Sequence, residues 1–129
     1  MLQSALVHPD LSSLLCRVRH TNRLVIADVA FPFWPEIETV DLALTRGVPT
    51  VIQVLDVILP HFKAGHAWMA EEFPAHNHSD TILRFDEAFR GVPVTREPHL
   101  DFKKRVPGAI GLVRTGDPTL YGNVILESA

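Results

Sequence analysis

The apolar segment at residues 24–27, Leu-Val-Ile-Ala, constrains the fold of this chain more than any other feature of its sequence. It is short, contains β-branched residues and has no polar face, which is typical of a strand buried on both sides of a sheet. Before it, apolar residues recur at helical spacing at positions 11, 14, 15 and 18. A helix that leads into a fully buried strand predicts a layered α/β fold.

The same alternation continues to the end of the chain. It predicts helices over residues 10–20, 50–62, 81–89 and 98–106, and strands over residues 23–27, 37–44, 64–73, 92–95, 109–114 and 124–126. Prolines and aromatic residues mark residues 30–35 as an irregular loop, and residues 74–79 read as a polar turn. We therefore expect a single domain over residues 1–129, with a mostly parallel sheet flanked by helices.

An ionisable residue lies on each side of the first predicted strand. His20 precedes the strand, and Asp28 follows it at the carboxyl end, where ligands bind in open α/β sheets. We expect both side chains to face one cleft at one end of the sheet, as an acid–base pair. From spacing alone, a helix-terminal histidine that contacts the last carbonyls is the stronger interpretation of His20. For Asp28, a functional role and a loop-capping role are equally good interpretations.

A second group of polar residues lies near the end of the chain. Tyr121 and Asn123 flank Gly122 immediately before the last predicted strand. A phenol and an amide suit a ligand rich in hydroxyl groups, although a structural turn explains most of this passage. His99, at the start of the predicted helix over residues 98–106, reads as an ordinary surface residue when it is considered alone.

Charge and apolar patterning exclude two classes of partner. Twelve Lys and Arg residues against fifteen Asp and Glu give a net charge of -3, which supplies no field for attracting a phosphate backbone, so we expect no nucleic acid partner. The longest apolar stretch, residues 48–59, is interrupted by polar residues and is too short to span a bilayer. Without a secretory signal pattern at its start, the sequence predicts a cytoplasmic protein with no membrane partner.

Motifs for metals and nucleotide cofactors are missing. Cys16 is the single cysteine, so neither an intramolecular disulfide nor a thiolate cluster can form within the chain. His76 and His78 have a spacing that can bind zinc, but a solvated pair in a polar turn is the better interpretation without an HExxH motif. No glycine-rich loop follows the first strand, which argues against NAD and ATP.

Several passages of the chain share their order and spacing with one family of enzymes. These passages are Arg19-His20-Thr21 leading into Leu24-Val25-Ile26-Ala27-Asp28, Val40-Asp41-Leu42-Ala43-Leu44, Gly47-Val48-Pro49, and Arg114-Thr115-Gly116 with Tyr121-Gly122-Asn123. From about residue 10 to residue 126, the sequence resembles the bacterial D-ribose pyranase and L-fucose mutarotase family.

The resemblance implies a Rossmann-like fold and a cofactor-free isomerase that interconverts ring forms or anomers of a free monosaccharide. By position, it implies that His20 transfers protons and that Asp28, His99, Tyr121 and Asn123 bind the sugar. It also implies a homo-oligomer, ring-shaped in relatives, with pockets near subunit boundaries.

Four questions stay open at this point. The sequence at residues 121–123 is closer to fucose-type members, whereas residues 47–49 are closer to ribose-type members, so the sugar is not decided. A non-catalytic sugar-binding protein could keep the same pocket, and a metal-dependent hydrolase would use the histidines. The aromatic loop, which we define as Phe31, Phe33 and Trp34, favours a subunit interface over stacking on a sugar ring.

Overall fold

The segment that the sequence marks as a buried strand lies in the interior of one six-stranded sheet. In a computed structural model that describes residues 1–129, the strands are β1 (Arg23–Ala27), β2 (Thr39–Asp41), β3 (Ala64–Ala70), β4 (Val94–Glu97), β5 (Gly111–Arg114) and β6 (Val124–Ser128). Their order in the sheet is β2-β5-β1-β6-β3-β4. Three neighbouring pairs are parallel, and β6 runs antiparallel to both β1 and β3. The expected mostly parallel α/β sheet is confirmed, with one antiparallel strand inserted in it.

Helices cover both faces of the sheet. They are α1 (Pro9–Arg17), α2 (Val51–Ile58), α3 (Glu72–Ala75), α4 (Ser79–Ala88) and α5 (His99–Arg105), and a 3₁₀ turn, Val106–Gly108, follows α5. Alternate side chains of β1 point to opposite faces, as strand geometry requires. Leu24 and Ile26 join the larger apolar core with α1, α2 and α4, while Val25 and Ala27 join a smaller core under α5. None of the helices combines the length and the apolar character needed to cross a bilayer.

The first two helices begin where side chains satisfy their free N–H groups. Nδ1 of His8 accepts the N–H of Leu11 at 3.2 Å, so α1 starts before Asp10, the first residue of the predicted helix. The helix ends at Arg17, because Val18 is already extended. At α2, the Thr50 hydroxyl and the Gln53 side chain form a reciprocal capping box.

Two predicted boundaries are wrong for local reasons. The strand expected over residues 37–44 is only β2, because the Asp41 carboxylate accepts the N–H of Ala43 at 3.0 Å and turns the chain. The strand expected over residues 64–73 ends at Ala70, and α3 occupies the following residues, including the start of the predicted polar turn. The short α3 is held by Phe73, which is fully buried in the larger core.

Candidate functional site

A small cavity opens at the carboxyl end of β1, where the sheet topology predicts a ligand site. Its volume is about 220 Å³, which is below the roughly 300–1,000 Å³ typical of sites for drug-sized ligands. The residues that line it are Asp28, Ala30, Phe31, Pro32, His99, Leu120, Tyr121 and Asn123. Four of the five site residues expected from the sequence therefore lie in one cavity.

Asp28 and Asn123 form a reciprocal pair at the centre of this cavity. The backbone N–H of Asp28 donates to Oδ1 of Asn123 at 2.7 Å, and Nδ2 of Asn123 donates to Oδ2 of Asp28 at 3.1 Å. Oδ1 of Asp28 also accepts the N–H of Ala30 at 3.0 Å. Asn123 is 3% exposed, so its amide is fixed before any ligand arrives. The pair presents a rigidly held carboxylate beside the cavity.

The environment of Asp28 disfavours its charged form. Burial is the largest influence and raises the pKa of the carboxyl above its usual value, and the neighbouring carboxylate of Asp117 acts in the same direction. Hydrogen bonds from Asn123 and from the N–H groups of Ala30 and Phe31 oppose this shift and lower the pKa. A carboxyl group that accepts several hydrogen bonds yet is partly desolvated suits the binding of neutral hydroxyl groups.

His99 forms the opposite wall. Its ring stacks on Phe102, with centroids 6.0 Å apart, and meets the ring of Tyr121 edge-on at 5.2 Å. Its Nδ1 is buried without a hydrogen-bond partner. Burial, followed by the charge of Lys103, lowers the pKa of His99, although the carboxylates of Glu72 and Asp28 act in the opposite direction. The neutral imidazole is therefore favoured.

Tyr121 lies between two histidines. Its ring centroid is 5.2 Å from that of His99 and 5.1 Å from that of His76. Its backbone has a φ of 56°, in the left-handed region that non-glycine residues rarely adopt. His76 therefore lies against the site, and no group of three or more potential ligands is arranged to hold a metal ion.

Backbone contacts hold the loop that follows Asp28. The guanidinium of Arg114 donates to the carbonyl of Val29 at 3.2 and 3.3 Å and also pairs with the Asp41 carboxylate. The carbonyl of Asp117 accepts the N–H of Val29 at 2.9 Å. Since Val29 lies next to Asp28, these contacts fix the position of the carboxylate.

The aromatic loop is divided between two environments. Phe31 lines the cavity and meets His99 and Phe102 edge-on, with centroids 6.4 and 6.3 Å apart. Phe33 points away from the protein and is 77% exposed. Phe31 therefore lines the pocket, and a subunit interface at the exposed Phe33 stays a prediction.

His20 does not reach this cavity. It is exposed in a turn before β1, where the N–H of Thr21 donates to the carbonyl of Ser128, at the end of β6. Asp28 lies at the other end of the same strand pair, beside Asn123. Strand geometry alone puts roughly 13 Å between the Cα atoms of the first and last residues of β1. The expectation that one chain brings His20 and Asp28 to one cleft is therefore wrong, because the strand that separates them in sequence also separates them in space.

The interpretation of His20 as a helix-terminal residue is also wrong. Helix α1 ends at Arg17, and His20 lies in the turn that follows, with no side-chain hydrogen bond. The imidazole of His20 therefore has no structural role that a contact within the chain would explain.

A larger groove lies elsewhere on the molecule. It has a volume of about 830 Å³ between α2 and α4 and is lined mainly by polar side chains of these helices. None of the five expected site residues lines it. The smaller cavity is the better candidate, because a fixed carboxylate, an amide, an imidazole and a phenol meet there.

Glu72 contacts the site but was not predicted from the sequence. Its carboxylate accepts the backbone N–H of His99 at 3.0 and 3.2 Å. No local pattern could have identified it, because its partner is a backbone group 27 positions along the chain.

Two D-ribose pyranases match this sequence along nearly the whole chain. The D-ribose pyranase of Rhodopirellula baltica is 34% identical over 131 residues, which cover 99% of this chain and 97% of that protein. The D-ribose pyranase of Chromobacterium violaceum is 40% identical over 121 residues, which cover 92% of this chain and 90% of that protein.

Solved structures share the fold. The structure of Bacillus subtilis RbsD complexed with D-ribose has a TM-score of 0.92 at 26% identity, and covers 100% of this chain and 98% of its own. The fucose mutarotase from Streptococcus pneumoniae, in complex with L-fucose, has a TM-score of 0.80 at 22% identity, over 95% of this chain and 93% of its own. The second likeness concerns the fold alone.

The family model described as the RbsD / FucU transport protein family matches residues 1–129. With this match over the full length and with a D-ribose pyranase that is 40% identical, the chain belongs to the RbsD / FucU family.

Proposed function

We propose that this protein is a cofactor-free isomerase that interconverts ring forms or anomers of a free monosaccharide by general acid–base catalysis. The observation that carries the proposal is the convergence of Asp28, His99, Tyr121 and Asn123 in one small cavity. The names of the relatives, D-ribose pyranases at 29–40% identity, support the same reaction class.

The chemistry requires few groups. Opening or closing a cyclic hemiacetal needs a proton on the ring oxygen and removal of a proton from the anomeric hydroxyl. Histidine is the side chain that exchanges protons most readily near neutral pH, and one positioned acid–base group typically contributes about 10²- to 10⁴-fold. The proposal needs no electron transfer and no activated group, so it needs no cofactor.

Each residue of the cavity has a role in the proposal. The Asp28 carboxylate and the Asn123 amide bind sugar hydroxyls, since their mutual hydrogen bonds fix both groups in place. The Tyr121 hydroxyl contributes a further contact or a second path for a proton. His99 lines the wall and contributes an imidazole whose neutral form is favoured.

The proton shuttle, in this proposal, is His20 from a second copy of the chain. His20 lies at the opposite end of β1 from Asp28, so its imidazole can enter a cavity only if another copy presents it. Exposed apolar side chains around the cavity, Leu100, Leu120 and Phe33, favour such a contact. A closed homo-oligomer, such as a ring, would repeat this contact at every subunit boundary.

D-ribose is the substrate that we place first, because the relatives at 29–40% identity are named for it. L-fucose is the second candidate, since Tyr121-Gly122-Asn123 is closer to fucose-type members. The proposed setting is the cytoplasm, where a chain with one cysteine has no need of disulfides.

Saturation-transfer NMR tests the proposal. We expect catalytic amounts of the protein to accelerate exchange between the forms of D-ribose or L-fucose above the spontaneous rate. Binding of these sugars without faster exchange would favour the alternative, a non-catalytic sugar-binding or regulatory protein that retains the pocket.

A further inference from the structure

The segment at residues 72–77, formed by α3 and the two residues after it, touches both walls of the candidate pocket without lining it. One wall carries His99, and the other carries Leu120 and Tyr121. The walls meet where the His99 ring contacts the Tyr121 ring edge-on at 5.2 Å, but no hydrogen bond between side chains joins them. The hydrogen bonds that hold each wall come from the segment behind them.

Glu72 holds the first wall. Both oxygens of its carboxylate accept the N–H of His99, at 3.0 and 3.2 Å. Pro98, which precedes α5, gives this helix no side-chain cap, so Glu72 supplies from α3 the acceptor that the helix lacks. A charged acceptor makes this a stronger bond than a neutral one.

Asn77 holds the second wall. Its Nδ2 donates to the carbonyl of Leu120 at 2.9 Å and to the carbonyl of Phe73 at 2.8 Å. Leu120 immediately precedes Tyr121, whose left-handed backbone needs support from its surroundings.

The segment itself is anchored to the core and to the end of β4. Phe73 is fully buried and packs on Phe85 of α4, with ring centroids 4.8 Å apart. The N–H of Glu71 donates to the carbonyl of Glu97 at 2.7 Å, at the end of β4. A segment fixed to the core in this way can serve as a rigid reference for both walls.

We propose that Glu72 and Asn77 are positioning residues that hold the His99 wall and the Tyr121 wall at a fixed separation, Glu72 acting through His99 and Asn77 acting through Leu120. The inference rests on the proposed function, because the pocket whose shape it explains is the proposed sugar site.

The charges around His99 provide a readout of the contact between Glu72 and His99. The titratable groups that face it are Glu72 from α3, Asp28 after β1, Lys103 on α5 and the phenol of Tyr121. Glu72 and Asp28 raise the pKa of His99, whereas burial and Lys103 lower it. Removing the charge of Glu72 should therefore lower the pKa of His99 further.

The experiment compares three variants with the full-length wild type. Glu72→Gln keeps an acceptor oxygen but removes the charge, and Asn77→Asp removes both N–H donors at constant size. Glu71→Gln is the matched control, because Glu71 is exposed and its side chain makes no hydrogen bond. If Asn77→Asp fails to fold by circular dichroism, Asn77→Ala replaces it.

We measure three quantities: the titration midpoint of the His99 imidazole by NMR, the ring resonances of Tyr121, and the affinity for D-ribose. We expect Glu72→Gln to move the midpoint of His99 to lower pH and Asn77→Asp to shift the Tyr121 resonances, with Glu71→Gln matching wild type. Where D-ribose binds, the two positioning variants should bind it about three- to tenfold more weakly.

An unchanged His99 midpoint in Glu72→Gln, or unchanged Tyr121 resonances in Asn77→Asp, would overturn the inference. Both readouts are taken on the free protein. A wild type that accelerates exchange of no sugar would defeat the proposed function while leaving these two tests in force.

Discussion

At the scale of single residues, the pocket is built around a carboxyl group that its surroundings discourage from ionising. Asp28 keeps its place through the hydrogen bonds with Asn123 and Ala30 rather than through an ion pair. Such a group can bind neutral hydroxyls closely, but partial burial makes its charged form costly to the folded protein.

Replacing Asp28 with asparagine should show that ionisation of Asp28 destabilises the folded protein. The difference in unfolding free energy between the variant and the wild type should depend on pH. Because burial raises the pKa of Asp28 in the folded state, its contribution to stability is greatest below the ordinary pKa of an aspartic acid. That contribution is lost as the pH rises through the raised pKa. Asp28→Asn cannot ionise, so its unfolding free energy relative to wild type should increase with pH across this window.

Urea unfolding of both proteins at a series of pH values measures this difference. A relative stability that decreases with pH would contradict the assigned direction. Sugar binding by the variant should weaken at every pH, since the asparagine offers one acceptor oxygen fewer.

Replacing His20 with alanine should separate catalysis from folding. The side chain is exposed and makes no hydrogen bond, so the unfolding free energy should change by no more than about 0.5 kcal/mol. Exchange of sugar forms, measured by saturation transfer, should fall by roughly 10²- to 10⁴-fold. His78→Ala is the control, because His78 is also exposed and is absent from the cavity, and it should exchange sugar as wild type does. Undiminished exchange in His20→Ala would remove His20 from the mechanism.

At the scale of elements, the loop after β5 ties α2 to the strand ends that carry the site. Asp117 is 3% exposed, and its Oδ2 accepts the N–H of Val51, the first residue of α2, at 2.8 Å. Its Oδ1 accepts the N–H of Thr119 at 2.8 Å, and its carbonyl accepts the N–H of Val29. One buried residue thus joins a helix start, the C-terminal loop and the loop that follows Asp28.

Asp117→Ala should therefore destabilise the fold by about 2 kcal/mol, because it leaves buried N–H groups without an acceptor. Asp56→Ala provides the comparison, since Asp56 is exposed on α2 and makes no hydrogen bond, and it should stay within about 0.5 kcal/mol of wild type. Thermal and urea unfolding measure both variants. Equal losses in the two would show that Asp117 does not have this role.

Sequence patterns predict well the elements that are specified by their own residues rather than by contacts with distant parts of the chain. Residues 24–27 are apolar on both faces, and β1 forms there as predicted. The short α3 was not predicted, because four residues have no periodicity and the packing of Phe73 is what holds them. Glu72 was not predicted either, because its hydrogen-bond partner is a backbone group of α5 that lies far from it in the sequence.

At the scale of the whole molecule, the sequence identifies four residues that line the candidate cavity, but it places His20 with them wrongly. The resemblance to one family brings together Asp28, His99, Tyr121 and Asn123, which the structure places in one cavity. His20 was expected in the same cleft, but β1 carries the chain from one end of the sheet to the other between His20 and Asp28. His20 precedes the strand and Asp28 follows it. Because a strand is extended, this order alone predicts that the two residues lie at opposite ends of the sheet.

In the proposed mechanism, each complete site therefore needs two copies of the chain. His20 of one copy would meet the Asp28 pocket of another, and neither residue could be replaced without loss of exchange. Two variants that are each inactive would then complement each other when they share an oligomer, because some boundaries would combine an intact His20 with an intact Asp28.

The decisive test is to co-express His20→Ala and Asp28→Asn with different affinity tags. Species that carry both tags are then isolated. Saturation-transfer NMR on the doubly tagged species should show sugar exchange at roughly a quarter of the wild-type rate per chain, the share of boundaries that are intact when equal numbers mix at random in a closed ring. Doubly tagged species with no more exchange than either variant alone, or no doubly tagged species at all, would contradict the account.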